Sequence, residues 1–100
     1  FTASGVGRRA KPYWGAYAVS KFAIEGLSQM LAEELDDDRH NVRVNSLNPG
    51  ATRTNMRATA YPAENPGQNP APEELMPVYL YLMGKDSHDV NGQQIDAQPK

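Results

Sequence analysis

The chain has 100 residues, a net charge of −2 and no cysteine. Disulfides and thiolate metal sites are thereby excluded within it, and the net charge implies no nucleic-acid footprint, which would need a clustered basic face. Hydrophobic residues make up 39%, and no apolar run approaches the length that spans a bilayer.

Phe1-Thr2-Ala3-Ser4 reads as the end of a strand that opens without an initiator methionine, so the chain is expected to be the back part of a longer protein. Residues 5–15 form a loop rich in Gly, Arg and Lys. The longest periodic segment follows, a helix from residue 16 to about residue 38. Ile24, Leu27, Leu31 and Leu35 recur there at steps of three and four, with Phe22 and Met30 beside them, and this stripe is expected to be core. Gly26 interrupts the helix at a cost that close packing against another helix would justify. Asp36, Asp37 and Asp38 end it against the macrodipole and read as solvated residues in a fraying turn.

Residues 42–48 form a short β-branched strand closed by the Pro49-Gly50 turn. Residues 52–69 are polar, with a short helix fitting only 55–60, and a long loop in a compact domain is more often functional than idle. Pro72-Glu73-Glu74 opens a second helix that runs to a Gly84 stop, with Pro77 in its first turns. Residues 86–92 read as a turn and 93–97 as a last short strand. Strands alternating with helices imply right-handed crossovers and a parallel sheet. Three strands and two helices do not cover both faces of such a sheet, so its remainder is expected from residues outside the chain.

Tyr17 and Lys21 stand four apart near the mouth of the first helix and therefore share a face. An ammonium about 4 Å from a phenol, at an effective dielectric of about 20, supplies on the order of 4 kcal/mol. That matches the roughly three units by which a tyrosine must be lowered to work as an acid/base near neutrality. The pair alone is cheap, and a surface tyrosine beside a solvated lysine is the plainer reading. The conjunction is not cheap. Ser4 lies just past a strand end, and Gly15, Ala16, Ala18 and Ser20 leave room around the pair. A second strand ends in Asn48-Pro49-Gly50, with Thr52 and Thr54 beyond it. In an open parallel sheet, ligands gather beyond the carboxyl ends of strands.

The runs Trp14-Gly15-Ala16-Tyr17-Ala18-Val19-Ser20-Lys21 and Arg43-Val44-Asn45-Ser46-Leu47-Asn48-Pro49-Gly50-Ala51-Thr52-Arg53-Thr54 resemble the short-chain dehydrogenase/reductase family in its short, single-domain form. Pro77-Val78-Tyr79-Leu80-Tyr81-Leu82-Met83-Gly84 and Asp96-Ala97-Gln98-Pro99 are similar, more narrowly, to the bacterial YciK branch of oxidoreductases. The resemblance covers essentially the whole chain. It implies an α/β fold: residues 1–100 as the C-terminal part of a single NAD(P)-binding, Rossmann-type doubly wound parallel sheet with flanking helices, the glycine-rich N-terminal half lying upstream. It implies Tyr17 as general acid/base, Lys21 as its partner and holder of the nicotinamide ribose, and Ser4 as the hydroxyl that orients the substrate carbonyl. It further implies Pro49 and Gly50 as the turn beside the nicotinamide, the Thr52 backbone as a carboxamide contact and the Thr54 hydroxyl as a carboxamide or phosphate contact.

The implied cofactor is NAD or NADP, the substrate a small carbonyl/alcohol pair, and no metal, nucleic acid or membrane is involved. The location is cytoplasmic, and the assembly is a homodimer or homotetramer formed through the Tyr17 helix. Gly5-Val6-Gly7 leads into a loop and does not replace a phosphate-binding turn, so this stretch is not expected to bind a dinucleotide alone. Two rivals remain. A non-catalytic binding or sensor module of the same fold would not need the full set of Ser4, Tyr17 and Lys21. A nucleotide-sugar epimerase or dehydratase fits the Asn48-Pro49-Gly50 turn and the short tail less well. Arg8, Arg9 and Lys11 are expected to form a solvated loop, with contact to an acidic substrate as the alternative. His40 and His88 read as surface turns rather than metal ligands. Tyr13 and Trp14 either line a pocket or simply pack, and Arg53 and Arg57 follow the turn where substrate or cofactor phosphate could pass.

Overall fold

The computed structural model describes residues 1–37 and 39–98, and of His40 the backbone only. In chain order the elements are a 3₁₀ turn Gly5–Gly7, α1 Gly15–Glu34, β1 Asp36–Asp37, β2 His40–Asn41, β3 Ser46–Asn48, α2 Asn55–Ala60, a 3₁₀ turn Pro66–Gln68, α3 Pro72–Met83, a 3₁₀ turn Lys85–Ser87 and β4 Gln94–Asp96.

The sheet is parallel, as the alternation of elements predicts. β3 pairs with β4 in the register Ser46↔Gln94, Leu47↔Ile95 and Asn48↔Asp96. On its other side Leu47 makes a parallel bridge to Thr2, with Ala3 N–H donating to the Leu47 carbonyl at 2.7 Å and Leu47 N–H to that of Phe1 at 2.8 Å. Residues 1–3 are therefore a strand end, and all three carboxyl ends emerge on one edge. Successive side chains of β3 face opposite ways. Ser46 meets Arg8 on the side of α1, while Leu47 lines a groove with Tyr79 and Leu82 of α3. Helices thus flank the sheet on both faces, the layering of a doubly wound fold.

Several expectations need correction. α1 begins at Gly15 and ends at Glu34, short of residue 38. Asp36 and Asp37 are not a fraying helical turn: they pair antiparallel with Asn41 and His40 in a small hairpin, where Asp37 accepts from the Arg39 amide at 2.9 Å. Aspartate is disfavoured at a helix C-terminus and suited to a tight turn, which accounts for the change. Asp38 and Pro99 lie outside the described residues. The strand expected over 42–48 pairs only at 46–48, because Asn45 and Asn91 side chains take over the earlier partners: Val44 N–H donates to Asn91 Oδ1 and Gln93 N–H to Asn45 Oδ1. α2 and the Gly84 stop fall where the sequence puts them, and Pro77 lies in the second turn of α3, within the first turns as expected.

The apolar stripe of α1 is the largest correction. Its buried residues are Ala18, Glu25, Ser28 and Ala32, spaced to form one face. Leu27 is exposed, and Ile24, Leu31 and Leu35 are half-buried at the margin. Small side chains occupy the middle because the helix lies close on neighbouring backbone: Ala32 Cβ is 3.6 Å from where a Cβ at Gly92 would stand. Val19, Phe22 and Met30 are 69%, 44% and 57% exposed. Apart from its own helix backbone and chain neighbours, no atom of the described residues comes within 4 Å of a Cβ placed on Gly26, so no other helix among them packs there. No helix among the described residues is long and apolar enough to cross a membrane.

Candidate functional site

The shared carboxyl edge of the strands opens into a cleft of about 940 Å³. Its walls include Ser4, Tyr17, Lys21, Pro49, Gly50, Thr52 and Thr54, so every site residue expected from the sequence lines one cavity.

The Ser4 side of the cleft is tied to α1. Ser4 caps the Gly5–Gly7 turn in extended conformation. Gly7 then lies so close to α1 that a Cβ on it would come within 2.7 Å of the Lys21 carbonyl carbon and oxygen. Only glycine permits that approach, and it fixes the serine turn against the helix that carries Tyr17 and Lys21. Lys21 Nζ stands 5.6 Å from the Tyr17 ring centroid, over its face, as spacing four predicts. The Trp14 ring lies 5.8 Å from that of Tyr17, tilted by 49°, and Lys11 Nζ is 5.9 Å from the Trp14 ring. Trp14 therefore lines the cleft, while Tyr13 is fully exposed with φ of 70°.

Arg8 is not a solvated loop residue. It donates to Asp96 Oδ1 at 2.8 Å and to the Ile95 carbonyl at 3.3 Å, and its Nε lies 3.5 Å from Glu25 Oε2. Glu25 is 4% exposed and also accepts from Gln94 Nε2. Arg8 Nε meets it as an ion pair without hydrogen-bond geometry, and Glu25 Oε1 has no hydrogen-bond partner among the described residues. This network joins the loop after Ser4, the middle of α1 and β4. Sequence reading passed over Glu25, although a carboxylate one turn beyond Lys21 and two beyond Tyr17 on the same face was a visible signal.

The turn after β3 is held from two directions. Asn48 Oδ1 accepts from Gly50 N–H at 3.0 Å and Asn48 Nδ2 donates to Asp96 at 3.1 Å. Gln98 Nε2 donates to the Pro49 carbonyl at 2.8 Å and to that of Ala51 at 2.7 Å. Gly50 has φ of 76°, and a Cβ there would meet Gln98 Nε2 at 2.8 Å, so conformation and space both call for glycine. No sequence pattern singled out Gln98 as a support of the turn. The Thr52 hydroxyl donates to the Gly50 carbonyl at 3.0 Å, and its backbone amide has no partner among the described residues. Thr54 Oγ1 accepts from Arg57 N–H at 3.1 Å and caps α2, leaving its own proton to donate.

Residues 54–69 are knit to one another. Arg57 makes a two-pronged ion pair with Glu64 at 2.9 and 2.8 Å, Asn69 Nδ2 donates to Glu64 at 2.6 Å, and the guanidinium lies 3.8 Å from the Tyr61 ring centroid. The hydrogen bond from Arg57, then that from Asn69, holds the Glu64 carboxyl below its ordinary range, and Glu64 in turn raises Arg57. Arg53 is exposed and takes no part in the cleft wall. His88 contacts Asp89 at 3.2 Å on the surface. The His40 side chain lies outside the described residues.

The short chain dehydrogenase family profile matches residues 1–65. The chain is 52% identical, over 99 residues, to the Escherichia coli K12 protein named uncharacterized oxidoreductase YciK, covering 99% of this chain and 38% of that protein. A solved structure from Pseudomonas syringae, assigned as a short chain dehydrogenase, is 65% identical and superposes with a TM-score of 0.92 over 98% of this chain and 39% of its own. Another, from Shigella flexneri 2a and complexed with NADP, is 52% identical with a TM-score of 0.92 over 99% and 40% respectively. The chain thus spans about two fifths of the relatives it matches.

Proposed function

The chain belongs to the short chain dehydrogenase family, and from that premise we propose that it is the C-terminal part of the single domain of an NAD(P)-dependent oxidoreductase acting on a small carbonyl/alcohol pair. The observation that carries this reading is the convergence of Ser4, Tyr17 and Lys21 with the Pro49–Thr54 turn on one cleft.

The residues fit a nicotinamide. The Gly50 turn, held open by Gln98, offers backbone without a side chain in the way, and the Thr52 amide and Thr54 proton are available to a carboxamide or phosphate. Lys21 would hold the ribose hydroxyls. A nicotinamide bound there supplies or accepts the hydride. Tyr17 gives a proton to the carbonyl oxygen in reduction and takes it back in oxidation, with Lys21 Nζ standing over its ring. Ser4 donates a hydrogen bond to the same oxygen and stabilises its developing charge. The NADP complex of the Shigella relative favours NADP of the two cofactors. Residues 52–69 act as the lid that excludes water.

The exposed row Val19, Phe22, Gly26 and Met30 supports a homodimer or homotetramer through α1, and a cytoplasmic location belongs to the same reading. The test is loss of NADPH absorbance with a carbonyl panel, using the intact protein. Tyr17→Phe lowers the rate by about 10²–10⁴-fold while cofactor still binds. A variant that keeps most of its rate removes Tyr17 from the chemistry.

A further inference from the structure

The oxidoreductase reading leaves open what the substrate carries besides its reacting group, and the cleft wall bears on this. Among the described residues its lining contains four cations, Arg9, Lys11, Lys21 and Arg57, and no aspartate or glutamate, although the whole chain has a net charge of −2. Two of the four are committed: Lys21 stands over Tyr17 and Arg57 is neutralised by Glu64. Arg9 and Lys11 have no carboxylate partner among the described residues. Their neighbour Arg8 does, so the charges of this loop are sorted into one used for structure and two left facing the cavity.

Their position is defined. Arg9 N–H donates to the Gly5 carbonyl at 3.0 Å, which keeps it in the turn directly after Ser4. Lys11 Nζ lies over Trp14, and Trp14 lies against Tyr17. A phenol, an indole and an ammonium therefore follow one another along the wall, the ammonium two aromatic contacts from the Tyr17 ring. An ammonium resting on an aromatic face is pre-positioned at little cost.

We propose that the substrate is an anionic carbonyl or alcohol compound, with a carboxylate or phosphate held by Arg9 and Lys11 and an apolar segment lying along Trp14. This rests on the oxidoreductase reading and narrows it. Arg9 and Lys11 lie on the connection between Ser4 and Tyr17, whereas the turn assigned to the cofactor follows β3. A positive, acid-free wall raises the local concentration of anions and speeds their capture.

The experiment uses the intact protein and NADPH with matched aldehydes: para-formylbenzoate, the longer formylbiphenyl carboxylate, the methyl ester of each, and para-formylphenyl phosphate. The acids exceed their esters in kcat/KM by about tenfold or more, and the gap narrows as salt rises from about 20 to about 500 mM. Arg9→Gln with Lys11→Gln brings the acid-to-ester ratio towards one, while the unfolding midpoint confirms that the variant is folded. Comparison of the carboxylate and phosphate arms identifies which anion the site takes. Tyr17-dependent turnover of acid and ester alike overturns the inference and leaves the oxidoreductase reading standing. So does a double variant that raises the KM for NADPH with the ratio intact. Turnover of no aldehyde in the panel overturns the oxidoreductase reading, and this inference with it.

Discussion

Residues 4–25 and residues 52–69 both line the cleft, yet they are anchored in different ways. The first stretch reaches the sheet through Arg8, whose bonds run to Asp96, Ile95 and the buried Glu25. It reaches its own helix through the Gly7–Lys21 approach. In the second, every hydrogen bond found for residues 54–69 among the described residues is to another member of the same stretch. A wall pinned to the sheet holds Ser4, Tyr17 and Lys21 at set separations. A wall pinned to itself keeps its shape while its seat on the sheet stays cheap to change, which is what a closing segment requires.

Breaking the first wall should cost the most. Glu25→Ala takes the buried carboxylate from a mostly buried guanidinium, which keeps Asp96, the Ser46 hydroxyl and the Ile95 carbonyl as partners. Unfolding of the intact protein in urea should show a loss of about 3 kcal/mol. The same substitution at Glu64 should leave global stability nearly unchanged, and equal losses at the two sites would erase the contrast. Gly7→Ala comes next: a Cβ forced against the Lys21 backbone costs about 1–3 kcal/mol and separates Ser4 from Tyr17. Turnover in the surviving folded fraction should fall further than the stability loss explains.

Much of this organisation can be read without coordinates, for identifiable reasons. The strand ends, α2 and the Gly84 stop depend on local chemistry: Pro-Gly turns, a threonine cap, a terminal glycine. The cleft's lining follows from parallel topology, which sends Ser4 and Asn48-Pro49-Gly50 to one edge. The buried face of α1 was not legible in that way. Periodicity weighs hydrophobicity, but a helix lying close on backbone buries small and paired polar side chains instead, so Ala18, Glu25, Ser28 and Ala32 take the positions expected of the leucines. Arg8 and Gln98 were equally hidden, because each acts on residues far along the chain and nothing near them in sequence marks the partner.

A milder test addresses the turn after β3. Gln98→Leu removes two hydrogen bonds at about 1 kcal/mol each. It should raise the KM for the cofactor by a fewfold while the Tyr17-dependent step is spared. An unchanged cofactor KM would mean that Asn48 alone holds the turn. The smallest effect concerns pH and the self-knit wall. Because Glu64 is held below its ordinary range by Arg57 and Asn69, its contribution is present above the ordinary glutamate value near 4.3 and is lost as pH falls through the lowered one. Titration followed by NMR at the Glu64 carboxyl should show a midpoint below that of a model glutamate, and an ordinary midpoint would dissolve the pairing that defines the second wall.

The two bonds from Gln98 to the Pro49 and Ala51 carbonyls cross sequence separations of 49 and 47 residues. During translation, the ribosome therefore delivers the turn well before the side chain that braces it. A nascent chain that has emitted Gly50 carries the loop in an unbraced form, and the shape it presents to a ligand is completed only after β4 has been made and has docked beside β3. The braced form of the turn thus reports that β4 has docked beside β3, and a reagent that senses the turn would time that pairing.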